Sequence, residues 1–201
     1  MLLHELIEEG GYKLILASQS PRRRQLMSDC GLEFRAISID VEELFPEDLP
    51  SEEVAEYLSA LKSSGYSLPL NSNEILITAD TVVLIGDKIL GKPDGEDGSR
   101  KMLRELSGSE HLVITGVSLR SSSLTKSFST TTRVKFAELT DEQIDYYIDR
   151  YKPYDKAGSY GIQEWIGYIG IEGIDGSFYN VMGLPIQRLY KELTLFIQEK
   201  S

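Results

Sequence analysis

The sequence predicts an α/β fold with a mixed, twisted central sheet flanked by helices, and three observations predict it. The first half follows the order β-α-β-α-β, which is typical of strands joined by helices. Over 111–119 and 127–136, polar and apolar residues alternate, as they do in half-buried antiparallel strands. Helical periodicity then returns near the C-terminus. Because 201 residues suit one sizeable core, we expect a single domain over 1–201.

The first strand-helix-strand segment is predicted from apolar runs and helix-end signals. Residues 13–17 form an apolar run of strand length. A helix is expected from Ser20 to Cys30, because Ser and Pro are favoured at the cap and first helical positions and Gly31 can end it. The alternation over 33–39 then predicts the second strand.

A second helix is predicted after an acidic loop at 40–50. It begins at Ser51, and its first turn is acidic, which the helix dipole favours. The i, i+3, i+4, i+7 spacing predicts one buried face. That face comprises Val54, Tyr57, Leu58 and Leu61.

The third strand is predicted over 74–79, and Asp80 is expected directly after its end. Two further strands, 81–85 and 88–90, flank Gly86-Asp87. A two-residue turn of this composition predicts a hairpin. An acid at the end of a buried strand is a candidate for chemistry, since ligands of open α/β sheets bind at the carboxyl ends of strands.

The C-terminal half predicts three helices and two short strands. A helix is expected around 102–106, and a capping box at Thr140–Gln143 opens another. The buried face of that helix comprises Ile144, Tyr147, Ile148 and Tyr151. Two short strands are expected around a turn at 174–176, and the last helix is expected to begin at Leu184-Pro185.

The charge and cysteine content argue against several partner classes. The formal net charge is −11, whereas duplex nucleic acid calls for broad basic faces, so we expect no nucleic-acid partner. No apolar run approaches the roughly 18 residues of a spanning helix, so we expect no membrane partner. The first residues lack signal-peptide features, and one cysteine cannot form an internal disulfide. We therefore expect a cytoplasmic protein.

A candidate phosphate site lies where the first strand passes into the first helix. A helix N-terminus offers unpaired backbone N–H groups and the positive end of the dipole. Ser18 and Ser20 add hydroxyl groups, and Arg22 adds a planar fork that suits phosphate oxygens. An ordinary surface helix with solvent-exposed arginines is the alternative interpretation.

Further charged residues are candidates for the same chemistry. Asp80 could hold a divalent cation or accept a proton from water, or it could cap a turn. Lys92 and Lys156 could neutralise phosphates or could be solvated lysines. Glu42 and Glu43, in the acidic loop, could join a metal site or could be exposed loop charges.

Motifs of other enzyme classes do not occur in the sequence. There is no P-loop, no GxGxxG and no HExxH, and Gly158–Gly161 does not match the nucleophile elbow of serine hydrolases. The two histidines are too few for a histidine metal site. His111 lies within a predicted strand, and we expect it to be a hydrogen-bonded structural residue.

Taken together, the motifs resemble those of the Maf family of nucleoside triphosphate pyrophosphatases, named for septum formation inhibition. The match covers about 13–195. The matching segments are Leu16–Arg23, Thr78–Val83, Gly91–Pro93, Leu106–Gly108, Thr115–Val117, Asp155–Gly158, Tyr160–Gln163 and Asn180–Pro185. The resemblance implies a Maf/ITPase-like fold with two lobes around a cleft, and a homodimer.

The resemblance also implies the reaction and its residues. The expected reaction is hydrolysis between the α and β phosphates of a nucleoside triphosphate, with Mg²⁺ or Mn²⁺. Asp80 would be the proton acceptor and, with Glu43, a metal ligand. The expected substrate contacts are Ser18, Arg22, Glu43, Lys62, Lys92 and Gln163. Glu43 and Lys62 match the family less closely, because their neighbours, such as Leu61 and Ser63, depart from its pattern.

Three positions resemble the subgroup that acts on dTTP and UTP. These are Arg22, Thr81 and Gln163, where the 7-methyl-GTP subgroup tends to carry an aromatic residue, Gln and Glu. A Gln side chain offers a donor and an acceptor, which suits the edge of uracil or thymine. Modified pyrimidine nucleotides fit the same prediction. The alternatives are a 7-methyl-GTP pyrophosphatase, or a nucleotide-binding regulator of cell division rather than a house-cleaning enzyme.

Overall fold

A computed structural model describes residues 2–200, and they form a seven-stranded sheet with helices. The strands are β1 (Lys13–Ala17), β2 (Phe34–Ile37), β3 (Glu74–Ile85), β4 (Lys88–Leu90), β5 (Glu110–Arg120), β6 (Thr125–Phe136) and β7 (Ile171–Asp175). The helices are α1 (Leu3–Glu9), α2 (Pro21–Asp29), α3 (Val54–Ser64), α4 (Gly95–Leu106), α5 (Asp141–Tyr151), α6 (Trp165–Gly170), α7 (Phe178–Val181) and α8 (Ile186–Lys200). Short 3-10 helices lie at Ser51–Glu53 and Ala157–Ser159.

The sheet is mixed, with the strand order β2-β1-β3-β5-β6-β7 and with β4 paired to β3. β1 runs parallel to β2 and β3, so that Leu14 lies opposite Phe34 on one side and Ile75 on the other. β4 is antiparallel to β3, and β7 is antiparallel to β6. The predicted α/β class with a mixed sheet flanked by helices is therefore confirmed.

The chain divides into two compact units. The first comprises the residues up to Asp80, Thr115–Thr130 and the residues from Gly183. The second comprises Thr81–Ile114 and Thr131–Met182. The single domain expected over 1–201 stays a prediction. Within residues 2–200, no helix is long and apolar enough to span a membrane.

The predicted helix-end signals occur in the structure. The Ser20 hydroxyl accepts a hydrogen bond from the Arg23 backbone N–H at the start of α2. At the start of α5, Thr140 and Gln143 form both bonds of a capping box, 3.3 and 2.9 Å long. These bonds satisfy backbone groups that the first helical turn leaves unpaired, which is why the signals predict helix starts.

In the first unit, α3 is seated closely against the sheet. The Thr78 hydroxyl on β3 donates to the Ser59 carbonyl of α3 at 2.7 Å. On β5, a Cβ atom added at Gly116 would lie 2.2 Å from the carbonyl oxygen of Ala55. Only glycine therefore allows this approach of α3 to β5, and the position of α3 depends on it.

The second unit has a core of aliphatic and aromatic side chains. Its buried members include Val83, Leu90, Leu103, Leu106, Phe136, Ile144, Tyr147, Ile148 and Tyr160. The face predicted for α5 is therefore confirmed, since Ile144, Tyr147 and Ile148 are buried and Tyr151 packs against them.

Four predictions about elements were wrong or incomplete. Asp80 does not follow the end of a strand, because β3 continues unbroken through it to Ile85. Tyr57 is exposed, and α3 buries Ala55 and Ser59 beside Val54 and Leu58 instead. A helix, α7, replaces the second short strand expected after 174–176. Helices α1 and α6 were not predicted at all.

Candidate functional site

The strand-to-helix turn after β1 is held by its own side chains. Ser18 is buried, and its hydroxyl accepts from the Ser20 backbone N–H at 3.2 Å. The Ser18 carbonyl accepts two bonds from the Arg24 guanidinium, at 3.0 and 2.8 Å. Arg22 is half-buried at the start of α2. The predicted phosphate cradle is therefore an ordered turn that leads into a capped helix.

Arg23 is a structural residue that the sequence analysis missed. Its guanidinium donates to the Gly183 carbonyl at 2.6 Å and to the Ala79 carbonyl at 2.9 Å. Burial lowers its pKa, although the negative charges of Asp80 and Glu43 act in the opposite direction. Arg23 thus ties α2 to β3 directly beside Asp80. Its position in the segment Leu16–Arg23, which matches the family motif, is the sequence feature that could have indicated its importance.

Three predicted residues meet in one acid–lysine cluster, formed by Glu43, Lys62 and Asp80. The Lys62 ammonium donates to Asp80 Oδ1 and lies 2.9 Å from Glu43 Oε1. Asp80 comes from β3, Lys62 from the end of α3, and Glu43 from the acidic loop. The Asp80 side chain is 10% exposed and that of Glu43 is 43% exposed, so the cluster lies at the surface of the first unit.

The donor set of this cluster suits a hard divalent cation. Two carboxylates converge on one positive charge, and Mg²⁺ is usually held by one or two carboxylates together with substrate phosphates. Across residues 2–200 there is no group of three or more His, Cys, Asp or Glu side chains that would hold a metal. Asp80 and Glu43 supply two carboxylates of this kind.

In the second unit, Lys92 and Thr81 occupy different environments. Lys92 is exposed between β4 and α4, whereas Thr81 is half-buried beside Asp80 in β3. The Gly158 N–H donates to the Gly91 carbonyl at 3.1 Å, which brings the GKP and DKAG segments together. The segment with Lys92 is therefore anchored through its backbone.

Lys156 is buried and paired with acids, unlike a lysine that is exposed to solvent. Its side chain is 9% exposed, and its ammonium lies 2.8 Å from Asp155 Oδ1 and 3.3 Å from Glu164 Oε1. The other carboxylate oxygen of Glu164 accepts from the Tyr147 hydroxyl. Lys156 is thus part of a buried ionic network, and the solvated-lysine interpretation is wrong.

Gln163 lies in a tight turn, Gly161–Glu164, which we call the Gln163 turn. The Glu164 N–H donates to the Gly161 carbonyl at 2.9 Å. Gln163 Oε1 is buried without a hydrogen-bond partner, which is uncommon for a buried acceptor. Gln163 also lines an apolar cavity of about 420 Å³. The other lining residues are Ile162, Gly167, Tyr168, Ile171, Ile174, Phe178 and Met182.

The family model described as Maf-like protein matches residues 13–196, which is most of the chain. The chain belongs to the Maf-like family. The resemblance predicted from the sequence motifs is therefore confirmed.

Three similar relatives of this Maf-like chain are named dTTP/UTP pyrophosphatase. The dTTP/UTP pyrophosphatase of Phocaeicola vulgatus is 53% identical over 90% of this chain and 95% of its own length. The proteins of the same name from Bacteroides thetaiotaomicron and Parabacteroides distasonis are 52% and 51% identical, over 90% and 92% of this chain and 95% and 96% of theirs. The solved Staphylococcus aureus Ham1 protein is 16% identical, with a TM-score of 0.48 over 92% of this chain and 99% of that one.

His111 was predicted to be a hydrogen-bonded structural residue of this Maf-like chain. His111 is buried, and its Nε2 lies 2.7 Å from the Tyr160 hydroxyl oxygen. Burial lowers the pKa of His111 to about 4 and raises that of Tyr160. Its predicted role as a hydrogen-bonded structural residue is confirmed.

Proposed function

We propose that this Maf-like protein is a nucleoside triphosphate pyrophosphatase that hydrolyses dTTP and UTP to the monophosphate and pyrophosphate. The observation that carries the proposal is the acid–lysine cluster, in which two carboxylates and an ammonium converge. Relatives named dTTP/UTP pyrophosphatase support the same reaction and substrates. They are 51–53% identical to this chain over 90–92% of its length.

The start of α2 is proposed to bind phosphate. Its first-turn N–H groups and dipole attract anions, and Arg22 supplies a guanidinium at the same helix end. Ser18 is proposed as a further hydroxyl contact. Lys92 is proposed to neutralise phosphate charge from its exposed segment. The donors at the start of α2 would offset locally the negative charge of the whole protein.

Asp80 is proposed to accept a proton from the attacking water. The water oxygen bonds to the α phosphorus, the bond from that phosphorus to the α–β bridging oxygen breaks, and pyrophosphate leaves with that oxygen. Lys62 donates a hydrogen bond to Asp80 in the free protein and can donate to a phosphate oxygen instead when substrate binds. Catalysis would rest mainly on positioning and charge stabilisation.

Asp80 and Glu43 are proposed to hold the divalent cation that the family implies. Mg²⁺ and Mn²⁺ both prefer such oxygen ligands. A bound cation would neutralise charge that develops on the departing pyrophosphate. Glu43 is the more exposed of the two acids and lies on a loop, so it can adjust to a ligand that arrives with the substrate.

Gln163 is proposed to recognise the pyrimidine edge, with Arg22 and Thr81 as the other specificity positions. Uracil and thymine present an N–H donor beside carbonyl acceptors, and an amide matches both kinds of group. The unpartnered Oε1 atom of Gln163 supports this assignment, because an N–H of the base would satisfy it. We further propose a cytoplasmic homodimer that acts on free nucleotides.

The test is pyrophosphate release from dTTP, UTP, CTP, GTP and 7-methyl-GTP, each with Mg²⁺ and with Mn²⁺. We expect the highest kcat/KM for dTTP and UTP, monophosphate as the co-product, and no release after chelation of the metal. A preference for 7-methyl-GTP would keep the reaction and refute the specificity assignment. Tight nucleotide binding without release would refute the enzyme and favour the regulator.

A further inference from the structure

The Gln163 turn is fixed by a hydroxyl group from α5. The buried Tyr147 side chain accepts a hydrogen bond from the Gly161 N–H at 3.0 Å and donates one to Glu164 Oε2. These are the first and last residues of the turn, so one hydroxyl spans it. Lys156 holds the other oxygen of Glu164. The Gln163 turn is therefore held by Tyr147 and Lys156, and neither side chain takes part in the reaction proposed above.

The Gln163 amide is packed against the same turn. A Cβ atom added at Gly161 would lie 2.9 Å from Gln163 Nε2 and 2.8 Å from the Glu164 carboxylate carbon. The Gln163 amide nitrogen and the Glu164 carboxylate therefore both lie against Gly161. A side chain at position 161 would displace the ends of the Gln163 and Glu164 side chains.

We propose that Tyr147 and Glu164 are positioning residues for substrate selection: they hold the Gln163 amide in one orientation and thereby exclude cytosine. This inference rests on the proposed role of Gln163 in reading the pyrimidine. Tyr147 and Glu164 act through the turn and not by contact with the base. Their contribution is to the choice between bases rather than to the chemical step.

The physical reason lies in the symmetry of an amide. Uracil and thymine present an N3–H donor and an O4 acceptor, whereas cytosine presents an N3 acceptor and an amino donor. A Gln amide rotated by about 180° exchanges its own donor and acceptor, so a free amide would match either base. An amide held in one orientation matches only uracil and thymine.

The experiment compares the binding of UMP and CMP to the wild-type protein and to Tyr147→Phe by calorimetry, and in parallel the hydrolysis of UTP and CTP. Tyr147→Phe removes one oxygen atom and leaves the Gly161 N–H unpaired. We expect the UMP/CMP affinity ratio to fall about 3- to 10-fold, the usual worth of one hydrogen bond. We expect kcat for UTP to change less than its KM.

Two control variants separate selectivity from stability. Tyr151→Phe also removes one hydroxyl from α5, on a ring that stacks on Tyr147, and should leave the ratio unchanged. Ile148→Val weakens the same core by a methylene and should lower the melting temperature without altering the ratio. Glu164→Gln keeps an acceptor oxygen but loses the charge paired with Lys156, and should lower the ratio in the same direction as Tyr147→Phe.

The outcomes are distinct. An unchanged UMP/CMP ratio in both Tyr147→Phe and Glu164→Gln, with folded protein, overturns the inference. Equal loss of affinity for UMP and CMP also overturns it, since it indicates a structural role alone. Binding is measured without turnover. Absence of hydrolysis in the wild type would therefore refute the proposed function, while the UMP/CMP affinity ratio would still test the positioning role of Tyr147 and Glu164.

Discussion

Two lysines of this chain each lie between two carboxylates, and their surroundings differ. In the first unit, Lys62 meets Asp80 and Glu43, which come from separate elements. In the second unit, Lys156 meets Asp155, its neighbour in the chain, and Glu164, which Tyr147 also holds. The Lys156 side chain is about half as exposed as that of Lys62.

The comparison separates the cluster that is proposed to react from one that supports the Gln163 turn. A carboxylate with a second fixed partner, such as Glu164, cannot leave its lysine without breaking other bonds. Glu43 lies on a loop and is partly exposed, so its contact with Lys62 can be exchanged for a ligand at little cost. Residue type and local sequence alone do not distinguish the two lysines, whereas their burial and the elements that carry their carboxylates do.

The largest effect that tests this comparison is expected at Asp80. Asp80→Asn keeps the size of the side chain and removes the proton acceptor. We expect kcat for dTTP to fall roughly 10²–10⁴-fold, the usual worth of a general base. Thermal unfolding should remain cooperative. Turnover close to that of the wild type would remove Asp80 from the chemistry.

The two lysines should respond differently to replacement by Met. Lys156→Met breaks a buried ion pair, and we expect a loss of about 3 kcal/mol in the free energy of unfolding. Lys62→Met should abolish most activity, and its melting temperature should rise when Mg²⁺ is added, because a cation can replace the ammonium between the acids. The matched control is Lys156→Met, whose melting temperature should not respond to Mg²⁺. The same response in both variants would contradict the distinction.

A smaller effect is expected for Gln163→Glu. A carboxylate retains the acceptor but loses the donor and repels the carbonyl oxygens of the base. We expect kcat/KM for dTTP and UTP to fall about 10- to 100-fold. The nucleotide panel measures this change, and identical relative rates across nucleotides would rule out a role for Gln163 in base selection.

The smallest effect concerns His111 and affects stability alone. Burial lowers the pKa of His111 to about 4, so the unfolded chain, with its ordinary pKa near 6.5, binds the extra proton first as the pH falls. This contribution is complete above pH 6.5 and is lost towards pH 4. Urea unfolding should show about 2 kcal/mol of this loss between pH 7 and pH 5, relative to His111→Gln. Parallel pH profiles for the two proteins would contradict this assignment.

Elements with strong local signals were predicted well from the sequence. β1 begins and ends at the predicted residues, and α2 and α5 begin at their predicted caps. The segment after β7 was predicted poorly. Phe178 and Val181 favour strands, yet Ser177 caps α7, and the Asn180 side chain donates to Val113 and Thr132 in the core. These contacts are distant in the chain and outweigh local preference.

Within the acid–lysine cluster, Lys62 was predicted only through the family resemblance, whereas Asp80 and Glu43 were also candidates from their places in the sequence. Nothing in the local sequence places Lys62 beside Asp80, because their contact depends on how α3 packs on β3. The role of Tyr147 was missed for the same reason. Its place on the buried face of α5 was predicted, but the second partner of its hydroxyl lies 17 residues away.

Gly116 affects the position of Lys62 through the packing of α3. The absence of a side chain there allows α3 to rest against the backbone of β5, at Ala55. Lys62 follows seven residues later, about 10 Å further along the helix axis. The absence of a side chain in the interior of a strand thereby helps to determine the position of the Lys62 ammonium.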